Sequence, residues 1–257
     1  MLVAIRKSNG AIVHAYQGRK EDGPFRCREC GDPVTLKAGN NRINHFAHEY
    51  PLARHYAESE SDEHRRCKME IYECLLKNPN ASDVALERPM GTNRPDVSAR
   101  INGVPVAIEV QISSLSIETI LHRTINYYRQ GVYVLWVLQW TSALDGDRYT
   151  PRLWERWLHA AYFGRVYYWL RGLEVVSYGF EPTLTFEPKT SWFDKRGKKA
   201  IAGGYSRRLK RRRTPVRREI FNLASDFGPR GRLWWEGGGI KVPDAKLFME
   251  RYVKSVP

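Results

Sequence analysis

Two adjacent residues, Asn102 and Gly103, constrain this chain more than any others. A two-residue type I′ turn needs positive φ at both central positions, and Asn followed by Gly tolerates that best. Such a turn pairs Ile101 with Val104, Ala99 with Val106 and Val97 with Ile108, and it sets Asp96 directly across from Glu109. Side chains alternate along a strand, so Val97, Ala99 and Ile101 share a wholly apolar face with Val104, Val106, Ile108, Val110 and Ile112. The opposite face carries Asp96, Ser98, Arg100, Ala107, Glu109 and Gln111. Two carboxylates about 5 Å apart at Cβ repel each other. A hard divalent cation such as Mg²⁺ takes oxygens from both and removes that cost. Asp96 and Glu109 are therefore candidate ligands of a catalytic metal, the alternative being a solvated hairpin face with accidental acids.

The segments on either side supply helices. Residues 58–78 read as one, with Ser61 as N-cap, Asp62 and Glu63 at the positive end of the dipole and Asn78-Pro79 as the stop. Cys67, Ile71, Cys74 and Leu75 form its buried stripe. Glu60, His64 and Lys68 recur every fourth residue on the adjoining flank. That row can lend polar groups to a metal site at the rim of the core, or it is a surface ion-pair ladder. After the hairpin, Ser113 to Ser116 offer caps for a helix over 117–130 that buries Ile117, Ile120, Leu121, Thr124 and Tyr128, with Gly131 as its stop. Arg123 and Tyr127, one turn apart on a different face, are placed as nucleic-acid contacts. Val132 to Leu138 is an apolar run of buried-strand character, so strand, helix and parallel strand make a βαβ unit on the hairpin.

The first fifty residues are of another kind. Residues 2–16 suggest a hairpin about Ser8-Asn9-Gly10. Then Cys27-x-x-Cys30 and His45-x-x-His48 make a C-x2-C-x14-H-x2-H pattern. Four soft or borderline donors suit tetrahedral Zn²⁺, and a segment this short draws folding energy from a metal. The alternative is a reduced cysteine pair with scattered histidines. The one-residue-short histidine gap favours a ribbon-like module over a DNA-reading finger.

Beyond residue 145 the pattern suggests an αββ appendage: a Trp-rich helix over 153–163, then strands over 165–170 and 173–178. Residues 189–218 hold thirteen Lys or Arg against one Asp, so twelve of the fourteen excess positive charges fall in thirty residues. Gly197, Gly203, Gly204 and Pro215 argue against a continuous helix there. The stretch reads as a flexible basic arm whose Arg207, Arg208, Lys210, Arg211, Arg212 and Arg213 contact phosphates, or as a solvated linker. Trp234 and Trp235 beyond it either stack on bases or dock back on the core. A net charge of +14 points to a polyanionic partner. No apolar stretch is long enough to span a membrane, and the N-terminal residues lack the order of a signal peptide, so a cytoplasmic location without membrane attachment is expected.

Asp96, twelve residues, then Glu109-x-Gln111 resembles the signature of the PD-(D/E)XK nuclease fold, with Gln111 where most members have Lys. The wider ordered set is Cys27-x-x-Cys30, His45-Phe46-Ala47-His48, Glu60-Ser61-x-x-His64-x-x-x-Lys68, Arg94-Pro95-Asp96, Glu109-x-Gln111, Arg123-x-x-x-Tyr127 and Trp136. Over residues 20–140 it resembles the CoiA-like competence protein family, whose members are similar to restriction-endonuclease-like nucleases preceded by a small zinc-binding segment. The resemblance implies Asp96, Glu109 and the Val110 carbonyl as ligands of Mg²⁺ or Mn²⁺. It also implies Gln111 as the polar group on the attacking water or the phosphate. A neutral amide positions a nucleophile without deprotonating it, which leaves that task to the cation.

The expected architecture is α/β: an N-terminal hairpin and zinc module over 1–57, a nuclease core over 58–144, and an α+β appendage with the basic arm over 145–257. The expected activity is metal-dependent hydrolysis of DNA, or of RNA, in DNA uptake, recombination or defence. Glu60, His64, Lys68, Asp96, Glu109 and Gln111 form the expected catalytic set. Two other classes use the same residues: a nucleic-acid-binding protein that kept the scaffold without turnover, and an adaptor that recruits a helicase or recombinase.

Overall fold

The computed structural model describes residues 1–39, 42–49 and 60–251. The expected boundary at residue 57 and the first two residues of the helix expected at 58 lie outside them. Five short strands come first: β1 (Val3–Arg6), β2 (Ile12–His14), β3 (Phe25–Arg26), β4 (Pro33–Lys37) and β5 (His45–His48). They form an antiparallel sheet in the order β2-β1-β3-β4-β5. β1 and β2 are the hairpin read about Ser8-Asn9-Gly10. The core of this sheet is small, with Val13, Phe25, Cys27, Val34, Leu36 and Phe46 as its larger members.

The main body follows. Helix α1 (Asp62–Leu76) leads into β6 (Ala81–Leu86), β7 (Val97–Ile101) and β8 (Val104–Gln111). Then come α2 (Ile117–Arg129), β9 (Tyr133–Gln139), α3 (Leu153–Ala161), β10 (Val166–Arg171) and β11 (Glu174–Glu187). β12 (Thr190–Phe193) and β13 (Lys199–Ala202) pair with each other, and β14 (Tyr205–Asn222) returns along β11. Last are β15 (Phe227–Arg232), β16 (Trp235–Gly237), β17 (Ile240–Val242) and β18 (Ala245–Glu250).

The hairpin of β7 and β8 has the register that its turn dictates: Val97 faces Ile108, Ala99 faces Val106 and Ile101 faces Val104. Asn102 and Gly103 hold φ of 50° and 78°. Ser61 and Ser116 cap α1 and α2 by accepting the N–H of His64 and Thr119. β8 and β9 pair in parallel, completing the βαβ unit. Two side chains of α2 differ from expectation. Tyr127 is fully buried and Tyr128 is 40% exposed, because the stripe that faces the sheet runs through Ile120, Thr124 and Tyr127.

Two further expectations change. The C-terminal half is not an appendage: β9 bonds in parallel to β10, so one sheet runs β14-β11-β10-β9-β8-β7-β6 across residue 145. Trp136, Trp157, Tyr162, Tyr167, Tyr168, Tyr178 and Phe227 are buried in a single core beneath it. The basic segment is not a flexible arm either. Residues 205–222 form the edge strand of this sheet, held in register by β11. Lys and Arg on an edge discourage further strand addition. Leu2 and Val3 belong to the main core, so β1 is shared between the two sheets' packing. No helix among the described residues is long and apolar enough to cross a membrane.

Candidate active site

Where the small sheet meets α1 and the end of β7 there is a cavity of about 800 Å³. Its walls include His45 and His48 of β5, Glu60, His64 and Lys68 of the α1 region, and Glu87, Arg94, Asp96 and Arg123. Lys68 is the pivot. The residue is 2% exposed, and its ammonium lies 2.7 Å from Glu87 and 3.3 Å from Asp96 and is also paired with Glu60. The row every fourth residue along α1 is therefore not a surface ladder, because its last member is inside the protein.

Asp96 follows Pro95 and precedes β7, outside the pairing that fixes the strand. Freed from strict alternation, its carboxylate accepts from the N–H of Val110 at 2.8 Å and lies 3.2 Å from His64 Nε2. Val110 thus meets Asp96 through its N–H. Burial alone would raise the Asp96 pKa, but Lys68, His64 and Arg123 hold it well below the usual carboxylate range. Lys68 is raised in turn, burial being outweighed by Glu87, Asp96 and Glu60. The same ammonium brings Glu87 down to about 2 against its burial.

Glu109 is placed differently. It is 1% exposed, and its Oε1 accepts from the Tyr127 hydroxyl at 2.5 Å and pairs with Arg123. Its Oε2 is buried with no hydrogen-bond partner among the described residues. Burial, aided by the charge of Asp96, pushes Glu109 up to about 7 despite Arg123 and Tyr127. The register across the hairpin holds, yet the two acids are not left facing each other unscreened. Arg123 and Tyr127 from α2 have taken one oxygen of Glu109. Tyr127, fully buried, is a second support for that carboxylate and not a nucleic-acid contact. Arg123 still reaches the cavity wall.

Gln111 stands outside this group. Its amide donates to the Ser113 carbonyl at 2.5 Å, so the chain's own next turn has claimed it. Sequence reading missed Glu87 and the contribution of Arg94. Glu87 is 2% exposed, holds a left-handed φ of 45° and accepts from the N–H of Leu2 and Val3. A non-glycine residue keeps such a conformation only where its surroundings enforce it. No local spacing announces Glu87, since its partners come from β1 and α1.

Two side-chain sets can hold a metal among the described residues. Glu60, His64 and Asp96 place their donor atoms within 4.8 Å of one another. Cys27, Cys30 and His48 do the same, with Cys30 Sγ 3.3 Å from His48 Nε2. His45 does not join them. Residues three apart on a strand point to opposite faces, so β5 turns His45 away from His48, and its Nδ1 sits 2.8 Å from the Ile43 carbonyl.

The basic residues lie elsewhere. Arg207, Arg208, Lys210, Arg211 and Arg212 are exposed on β14, whereas Arg213 is partly buried and caps the carbonyls of Leu209, Lys210 and Arg212. Arg207 is tied to Glu187 at 2.5 Å.

Residues 60–153 match the family described as competence protein CoiA, nuclease-like domain, and residues 12–51 match competence protein CoiA, N-terminal domain. Competence protein CoiA of Bacillus subtilis (strain 168) is 31% identical over 131 residues, which is 49% of this chain and 35% of that protein. The chain thus spans about a third of the length of that curated relative. No solved structure matches the chain significantly. The two matched segments, in the order in which the small sheet and the α1 to β9 unit build the cavity, make this chain a member of the CoiA-like competence protein family.

Proposed function

We propose that this chain is a Mg²⁺- or Mn²⁺-dependent nuclease that hydrolyses DNA phosphodiester bonds on a restriction-endonuclease-like core, in DNA uptake, recombination or defence. The observation that carries the reading is a half-buried acid just before β7 and a buried acid on β8 whose pKa values are driven in opposite directions. Asp96 is held ionised, and Glu109 has a buried Oε2 without a partner among the described residues. An unsatisfied buried carboxylate oxygen costs stability and marks a place where a group is expected. Asp96 and Glu109 would hold the cation, with His64 and Glu60 beside Asp96. A divalent cation there supplies Lewis-acid polarisation of the phosphoryl oxygens.

The chain's own groups do the rest. Lys68 keeps Asp96, Glu60 and Glu87 charged, so the acidic wall survives burial. Arg94 and Arg123 bring positive charge to the cavity that receives a phosphate. His64, between Glu60 and Asp96 and partly open to solvent, can hold or pass a proton at either ring nitrogen. Gln111 has no part in this account.

The Cys27, Cys30 and His48 set is proposed as a structural Zn²⁺ site, because thiolate and imidazole donors suit that ion. β5 carries His48 and also walls the cavity, so zinc would brace the site it borders. DNA is the proposed partner, with RNA tested alongside it.

A second reading, nucleic-acid binding without turnover, draws on the commitment of Gln111 to Ser113 and of Arg123 to Glu109. Incubation of plasmid, single-stranded DNA and RNA with purified protein plus Mg²⁺, Mn²⁺ or chelator separates the two. Cleavage that disappears on chelation is expected. Binding without cleavage under any cation would establish the second reading.

A further inference from the structure

A second cavity, of about 500 Å³, lies between α3, β11, β14 and the β16–β17 hairpin and shares no lining residue with the first. Arg156, His159, Phe163, Phe180, Arg213, Arg232 and Trp235 line it, and no carboxylate among the described residues does. Among the described residues none of its three arginines is paired with an acid. Arg232 is the most telling: its Nε is buried without a hydrogen-bond partner. Its guanidinium lies 4.3 Å from the ring centroid of Phe163 and 5.5 Å from that of Trp235. Arg230 stacks on Phe163 as well, at 4.5 Å, which crowds two positive charges on one ring. Burial and the charge of Arg230 lower the Arg232 pKa. A counter-anion would relieve that repulsion.

The aromatic side of the cavity is held in place by a glycine. A Cβ on Gly237 would lie 2.7 Å from the indole of Trp235, so the absence of a side chain lets the ring lie against the backbone. Trp235 remains 37% exposed, and neighbouring Trp234 is 59% exposed. Burial, with the charges of Arg218 and Arg213, lowers the His159 pKa, and its Nε2 accepts the N–H of Phe180. Arg213 is where the basic edge strand β14 reaches the cavity.

We propose that this cavity binds one nucleotide of a single strand, its phosphate on Arg156, Arg213 and Arg232 and its base stacked on Trp235. A flat base finds an open aromatic face, an anion finds three guanidinium groups that no acid among the described residues neutralises, and β14 continues the positive track. Bases in a duplex are already stacked and paired, so the site selects unpaired strand. The inference rests on nucleic acid being the partner, as proposed above, and does not depend on hydrolysis.

The test is fluorescence anisotropy of the full chain without added Mg²⁺ or Mn²⁺ and without chelator, so that the proposed zinc is kept, on labelled oligo(dT) and on a blunt duplex of equal length. Stacking of about 1–3 kcal/mol per base corresponds to a loss of about 5- to 150-fold in affinity for Trp235→Ala on the single strand. Duplex affinity should stay within about twofold, and Trp235→Phe should restore most single-strand binding. Arg232→Gln should also weaken oligo(dT) selectively. Thymidine monophosphate should compete at concentrations where inorganic phosphate does not. Equal losses on both substrates would reduce the cavity to general positive charge and overturn the proposal. Unchanged oligo(dT) affinity in both variants would overturn it too. Because cleavage is read in a separate assay, a nuclease without this site and a binder without nuclease activity give different results.

Discussion

The two metal-competent clusters of this molecule differ in what surrounds them. Cys27, Cys30 and His48 sit on a five-stranded sheet with a core of few large side chains. Glu60, His64 and Asp96 sit where α1 meets the start of β7, against a core that buries four of the eight tryptophans. In the first, a bound ion would supply much of the folding energy that the small core lacks. In the second, the fold already gathers them, and Lys68, Arg123 and Tyr127 are spent holding acids that a core of this kind would otherwise reject. The lesson is that the same requirement, placing donors together, yields a folding element where apolar burial is scarce and a chemical element where it is plentiful.

Removing metal should separate the two most sharply. Apparent binding energies of structural zinc are on the order of 10 kcal/mol. Strong chelation, or Cys27→Ser, should therefore unfold β3 to β5 while β1, held by the main core, and α1 to β18 stay folded. Hydrogen exchange resolved by region reads this directly. Elemental analysis without zinc in the native protein, or protection unchanged by chelation, would erase the contrast.

The reverse experiment attacks the rigid site. Lys68→Met leaves three acids around an apolar tip, and breaking a buried ion pair of this kind costs about 3–5 kcal/mol. Chemical denaturation should show that loss in the main body, with zinc content unaffected. A loss under about 1 kcal/mol would mean that the acids are solvated and the pivot is not Lys68.

Acid titration sharpens the comparison within the site. The Glu109 pKa of about 7 stands above its ordinary 4.5, so the stability it contributes is complete below about 4.5 and is lost as pH rises through 7. Glu87, brought down to about 2, contributes stability that is present above 4.5 and lost as pH falls toward 2. The melting temperature of protein free of divalent cations should accordingly fall from about pH 5 to about pH 8. Glu109→Gln should flatten that slope, and a slope that persists in the variant belongs to another group.

The smallest effect is expected at His64, which is partly open to solvent. His64→Ala should lower turnover by about 10²-fold or less, in the range of proton-transfer contributions, with little change in melting temperature. Equal losses of stability and turnover would make it a structural member of the Lys68 network.

Local signals account for what was legible in the chain. Asn102-Gly103 sets its hairpin through two backbone angles, and Ser61 and Ser116 cap helices through contacts three residues away. The spacing of Glu60, His64 and Lys68 marks one flank of α1 but leaves a surface ladder equally open, and only the fold brings Asp96 to it. Glu87 was not legible, because its partners lie 19 and 85 residues away along the chain. The edge strand β14 escaped notice for the same reason: its many arginines look like a solvated arm until β11 supplies a register. His45 was miscounted as a ligand because its spacing from His48 suits a turn or helix, whereas β5 is a strand.

The account stands most directly on the two hairpin acids. Single-turnover cleavage of DNA at saturating protein, in Mg²⁺ or Mn²⁺, should be lost in both Asp96→Ala and Glu109→Gln, while both variants keep the far-ultraviolet spectrum and DNA affinity of the parent chain. Cleavage at the parental rate in either folded variant would contradict it.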